Sequence, residues 1–210
     1  HIKTHKSPVI ARMQADAGAA GITCQKLGEA EVMVDGGLNN VLISYNLLGT
    51  EKMGRLGALL KRADVTVAAD NPTVVKGLTE AAAIAEQPLK VVVECDTGRK
   101  RAGVETPQEA IELARLIGGL PGLEFTGFMF YPTETSWPQT QRFFNEARAG
   151  VREAGLRDTL ISTGGTPNLV NVGKLEGATE HRAGTYIFND HTTIAAGAAE
   201  EEDCALTVFT

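Results

Sequence analysis

The chain has few aromatic residues, few cysteines and no long apolar run. Aromatics make up 5% of its 210 positions, with a single tryptophan. Cys24, Cys95 and Cys204 are odd in number, far apart and in no metal-type spacing, so a reduced, cytoplasmic chain is expected rather than a disulfide framework. No apolar stretch approaches the roughly 18–20 residues of a membrane span, and no secretory signal is visible. Positive charge is also short. There are 20 Lys and Arg against 26 Asp and Glu, a net charge of −6, so the chain offers no field for nucleic acid or an anionic membrane. It opens on His1-Ile2-Lys3-Thr4-His5-Lys6 without a Met and closes on Cys204-Ala205-Leu206-Thr207-Val208-Phe209-Thr210, which reads as a strand cut short. A fragment of a longer protein is expected.

Glycine is plentiful, at 23 residues, and several follow short apolar runs. Those runs are Gly21–Cys24, Val41–Tyr45, Val65–Ala69, Lys90–Cys95, Phe125–Phe130, Thr159–Ser162 and Ala178–Arg182. Amphipathic stretches separate them: Lys26–Val34, Glu51–Ala63, Pro72–Glu86, Pro107–Ile117, Gln139–Ala154 and a shorter one after Pro167. The alternation predicts βαβ units and a parallel sheet. Val91-Val92-Val93 is apolar on both faces, as a buried parallel strand should be. Asn71-Pro72 and Thr106-Pro107 each set a capping residue before a proline at the first helical position. With Ile2-Lys3-Thr4 as the tail of an eighth strand, the fold class is α/β, a (β/α)8 TIM barrel truncated at its N-terminus; about 250 residues is typical of a complete one. An open doubly wound sheet is the alternative. The acidic run Glu200-Glu201-Glu202-Asp203 reads as a surface loop. The expected domains are 1–198, the barrel, and 199–210, the start of a mostly missing C-terminal β domain.

Chemistry in such barrels collects at the C-terminal ends of strands. The eight ends are Lys3, Gln25, Tyr45-Asn46, Asp70-Asn71, Asp96 to Arg101, Tyr131, Ser162 to Thr166, and Arg182 with Gly184-Thr185-Tyr186. Thr163-Gly164-Gly165-Thr166 and Ala183-Gly184-Thr185 suit phosphate, because small residues let backbone N–H groups approach an anion. They follow strands seven and eight, where barrel phosphate sites fall. Two tight turns without a ligand are the alternative. Lys3 is either a solvated charge or a nucleophile, whose amine must be partly desolvated; a neighbouring Lys6 ammonium would favour the free amine. His5 either relays protons or is structural. Arg101 suits a ring oxygen or a carboxylate, while Arg99 and Lys100 read as surface cations. Tyr131 either stacks on a ring, acts as an acid or packs. Arg182 faces a ring nitrogen or pairs with Glu180. Trp137 and Phe143-Phe144 read as packing.

These residues resemble a known family. His1-Ile2-Lys3-Thr4-His5-Lys6 is similar to the cofactor-lysine segment of the D-threonine aldolase and D-serine dehydratase family, fold-type III enzymes of pyridoxal 5'-phosphate (PLP) related to alanine racemase. The segment Val93 to Val104 carries an Asp-Thr-Gly-x-x-Arg-x-Gly core similar to one in alanine racemases. Ser162 to Pro167 and Glu180 to Tyr186 complete the set, so the resemblance runs in order over nearly the whole chain.

The resemblance implies that Lys3 carries PLP, with Lys6 the alternative. It places Gln25, Arg101 and Tyr131 on the ring, Thr163, Gly164, Gly184 and Thr185 on the phosphate, and Arg182 opposite the pyridine nitrogen. The implied activity is that of a lyase cleaving D-threonine-type substrates to glycine and an aldehyde, with Lys3, Tyr131 and His5 as catalytic candidates. A D-serine dehydratase, an amino-acid racemase, a PLP carrier without turnover and a cofactor-free phosphosugar enzyme are the alternatives. Family members also use a divalent metal (Mn, Mg or Zn) held by the C-terminal domain. No ligand to it can be assigned in this chain, and a homodimer is implied only for the full-length protein. Many members carry a histidine soon after the strand-six tyrosine; Tyr131 to Trp137 contains none, which leaves the base open.

Overall fold

The computed structural model describes residues 1–206. Seven strands form one sheet: β1 (Ile22–Cys24), β2 (Asn40–Ile43), β3 (Asp64–Ala69), β4 (Leu89–Cys95), β5 (Leu123–Phe130), β6 (Leu160–Gly164) and β7 (Glu180–Arg182). Every neighbouring pair is parallel, and spatial order equals chain order. An open doubly wound sheet reverses its strand order part-way, so the sequential order selects the barrel. The edges of β1 and β7 are not paired with each other; a groove bordered by Gly21–Thr23 and Thr179–Ala183 runs between them.

The helices are α1 (Pro8–Asp16), α2 (Leu27–Asp35), α3 (Thr50–Leu60), α4 (Pro72–Ala85), α5 (Pro107–Gly119), α6 (Trp137–Glu153) and the short α7 (His191–Ala195). The expected caps form: Asn71 accepts from the Val74 N–H, and Thr106 closes a capping box with Glu109. Between helices and sheet lies the main core, where Phe128 and Phe130 of β5 meet Phe143 and Phe144 of α6 edge to face. The barrel interior is a smaller cluster of Leu42, Ala68, Val92 and Met129. Strand alternation then puts Ser44, Glu94, Tyr131, Ser162 and Arg182 above it, toward the C-terminal mouth. Among the described residues no helix is long and apolar enough to cross a membrane.

One sequence expectation is corrected. Ile2–Thr4 is not a strand tail but a 3-10 turn capped by the His1 side chain; Ile2 is buried under it and Lys3 is exposed at the barrel mouth. Pro8–Asp16, to which the sequence reading assigned no element, forms α1, capped by Ser7. The segment after Pro167 is a 3-10 helix, Thr166–Lys174. The acidic run is an exposed 3-10 turn, Glu201–Asp203, and most of the expected terminal strand, 207–210, lies outside the described residues.

Candidate active site

A cleft opens at the C-terminal mouth. Its floor is Glu94 of β4, Met129 of β5 and Arg182 of β7; its walls carry Lys3, Gln25, Ser44, Arg101, Tyr131, Gly164, Gly184 and Thr185. Eight of the ten residues expected at the site therefore line one cavity. Thr163 and His5 do not. The Thr163 side chain points outward, its hydroxyl 2.8 Å from His181 Nδ1. His5 is held at the start of α1, where its Nδ1 accepts the Ser7 N–H at 3.1 Å. Lys6 is not beside Lys3 in an ammonium pair; its Nζ is 3.5 Å from Glu29.

The loop after β4 is built to present Arg101. The Asp96 carboxylate accepts the N–H groups of Gly98 (2.8 Å) and Arg101 (2.7 Å). Burial by itself would raise the Asp96 carboxyl, but the loop N–H groups outweigh it and hold it below its ordinary range. Asp70 anchors the far end by accepting from Gly103 N at 3.2 Å. The Arg101 guanidinium then lies 4.8 Å over the Tyr131 ring and 3.9 Å from Glu94. Arg99, expected to be a surface cation, instead lies 4.0 Å over the same ring and donates to the carbonyls of Tyr131 and Pro132. Both guanidinia fix the phenol from above the ring plane, a favourable cation–π arrangement.

Below them, Arg182 is half-buried. It donates to the Ser162 hydroxyl and, at 3.0 Å, to the Phe130 carbonyl; Ser162 in turn donates to Glu180. Burial lowers the Arg182 pKa to about 10, so it is still a cation at neutral pH. Burial raises the Glu94 carboxyl to about 7, against the pull of Arg101 and Arg182. Glu94 was missed by sequence reasoning, as were Ser44 and Thr4 as cleft-lining residues, whereas Gly165 and Thr166 line it as members of the loop read as suited to phosphate.

The anion-suited end is formed by two helix starts. Gly165 precedes the 3-10 helix Thr166–Lys174, and Gly184 precedes a 3-10 turn, Thr185–Ile187. First-turn N–H groups have no partner inside the helix. The Thr166 hydroxyl ties the two starts together, accepting from Gly184 N (3.2 Å) and Tyr186 N (3.1 Å). A Cβ on Gly164 would sit 2.9 Å from the Arg182 guanidinium, and one on Gly184 would sit 3.0 Å from the His1 carbonyl. Only glycine leaves this end open.

The sequence of residues 1–192 matches the family described as the alanine racemase N-terminal domain. The chain belongs to that family. The chain is 33% identical over 205 residues to a D-threonine aldolase from Arthrobacter sp, covering 90% of this chain and 53% of the relative. The crystal structure of D-threonine aldolase from Filomicrobium marinum superposes with a TM-score of 0.88 at 32% identity, over 97% of this chain and 57% of that one. The D-threo-3-hydroxyaspartate dehydratase from Delftia sp. HT23 gives a TM-score of 0.86 at 26% identity, over 98% and 57%. The chain thus spans about half the length of the relatives it matches.

Proposed function

We propose that the protein carrying this chain is a PLP-dependent lyase acting on D-β-hydroxy amino acids, and that it cleaves D-threonine-type substrates to glycine and an aldehyde. The observation that carries this reading is one cleft in which a lysine, a phenol braced by two guanidinia and a glycine-walled anion end face each other. The donor set fits PLP. The Lys3 amine would hold its aldehyde carbon. Thr166 and Thr185 would hold the phosphate through backbone N–H groups, with Gly184 leaving room for it, and Arg182 would face the ring nitrogen as a half-buried cation. When bound, PLP supplies a ring that takes up the electron pair released at the substrate Cα.

The chain's residues then divide the remaining work. Tyr131, held by Arg99 and Arg101, fixes the ring plane and leaves its hydroxyl at the mouth. Glu94 lies under Arg101 as its counter-ion. Lys3, whose amine lines the cleft, would be the group to carry a proton to or from the substrate Cα. Among the described residues there is no cluster of three or more His, Cys, Asp or Glu side chains that could hold a metal ion.

The likeness to the Delftia dehydratase supports a second reading, loss of the β-hydroxyl with release of ammonia and a keto acid. Incubating the full-length protein with PLP, a divalent metal and either D-threonine or D-serine separates the two. Glycine plus aldehyde is the expected result; ammonia plus keto acid makes the dehydratase reading correct, and neither product from a PLP-loaded protein overturns both. Lys3→Ala should abolish the visible absorption of lysine-bound cofactor. A band that survives the substitution means the cofactor lysine lies elsewhere.

A further inference from the structure

His181 is the middle residue of β7. Its neighbours Glu180 and Arg182 both engage Ser162 inside the barrel, so alternation turns His181 outward. There it is opposite Thr163, its register partner in β6. Both ring nitrogens are engaged: Nδ1 lies 2.8 Å from the Thr163 hydroxyl and Nε2 lies 3.0 Å from the Gly165 carbonyl. A carbonyl only accepts, so Nε2 carries the proton and Nδ1 takes the Thr163 hydroxyl hydrogen. Burial pushes the imidazole below its ordinary pKa, which keeps it in this neutral form.

The consequence lies on the other side of one peptide bond. The Gly165–Thr166 peptide is trans and planar, so its C=O and N–H point in opposite directions. The Gly165 oxygen also accepts the Asn168 N–H at 3.0 Å, the first bond of the 3-10 helix; His181 adds the second, outer hold on that oxygen, and together they turn the Thr166 N–H the other way. Thr166 lines the cleft and is the first residue of its helix, so that N–H has no partner inside the helix. Gly165 sits at φ +102°, a glycine-only region in which the peptide has no side chain of its own to orient it. We infer that His181 is a positioning residue for the cofactor phosphate: from outside the barrel it sets the orientation of the peptide whose N–H faces the anion. The inference rests on the PLP reading above and adds to it the group that makes the site select for a phosphorylated ligand.

The test compares PLP with pyridoxal, which has the same ring and aldehyde but no phosphate. Dissociation constants are measured by absorbance titration of the full-length apoenzyme. His181→Phe keeps an aromatic ring and removes both hydrogen bonds. It should weaken PLP about tenfold, the worth of one to two such bonds, and change pyridoxal less than about twofold. His181→Gln, whose amide can reach the Gly165 carbonyl, should recover most of the loss. Equal weakening of PLP and pyridoxal, or unchanged PLP affinity, overturns the inference. Should His181→Phe not fold, Thr163→Val removes only the hydroxyl that orients the imidazole and must weaken PLP selectively, or the inference fails. Wild-type protein that binds neither ligand overturns the PLP reading itself.

Discussion

The Glu94 carboxylate lies 3.9 Å from the Arg101 guanidinium, on the floor of the cleft and almost out of reach of water. Its pKa of about 7, against an ordinary 4.5, is a burial effect that Arg101 and Arg182 only partly offset. The folded state therefore holds this proton more tightly than the unfolded chain does. Stability contributed at low pH is lost as pH rises from about 4.5 to about 7, and the full penalty, up to about 3 kcal/mol, applies above that. Glu94→Gln keeps the shape without the charge. Urea unfolding of the cofactor-free protein should show the variant equal to wild type at pH 5 and more stable at pH 8. No difference between the two pH values would mean that Glu94 titrates normally.

Arg99 should matter for stability as an exposed cation would not. It stacks on Tyr131 and donates to two carbonyls of the turn that follows, at 3.2 and 3.0 Å. Arg99→Ala is expected to cost about 1–2 kcal/mol, one cation–π contact plus the net worth of the hydrogen bonds. Arg99→Lys should recover less than half, because a point ammonium cannot stack and fork at once. Full recovery by lysine in thermal unfolding would show that charge alone is required.

Gly165→Ala and Gly155→Ala separate strain from collision. Both glycines have positive φ, +102° and +73°. A Cβ at Gly155 meets nothing within 4 Å, whereas one at Gly165 falls on the Tyr131 ring. Both variants should lose roughly 1–3 kcal/mol to backbone strain. Only Gly165→Ala should also lose PLP affinity, because Tyr131 must move. Equal PLP affinity in the two variants would show that the ring can shift without consequence.

These contacts mark what the chain reveals before its structure is known. Strand order and most helix starts are legible, because capping residues before proline and glycines after apolar runs are local signals. The Ser7-Pro8 pair carries the same signal as Asn71-Pro72 and marks α1, so that helix was there to be read. Ile2-Lys3-Thr4 was not: one buried residue in three suits a strand tail and a 3-10 turn equally. Within Thr163-Gly164-Gly165-Thr166, the inward members are decided by the positive φ of Gly165, which spacing does not reveal. Glu94 was hidden by the run Val91-Val92-Val93. Apolar on both faces, it gives no sign that the inward face of β4 ends on a carboxylate.

Arg182 supplies the prediction of opposite sign to Glu94. Half-buried, it is, after Arg101, the second cation that pulls the Glu94 carboxyl down against burial. Arg182→Met removes it, so Glu94 will hold its proton to higher pH than before. The variant should be destabilised least at pH 5, where Glu94 is protonated, and most at pH 8. There, leaving the buried Glu94 charge with one cation fewer should cost roughly 1–3 kcal/mol. Adding Glu94→Gln removes that charge and should restore part of the loss at pH 8 and none at pH 5. Such non-additivity, measured as a double-mutant cycle at the two pH values, is expected only for groups that interact. Additive losses at pH 8 would show that Arg182 serves the Phe130 carbonyl and the Ser162 hydroxyl but not the carboxylate on the cleft floor.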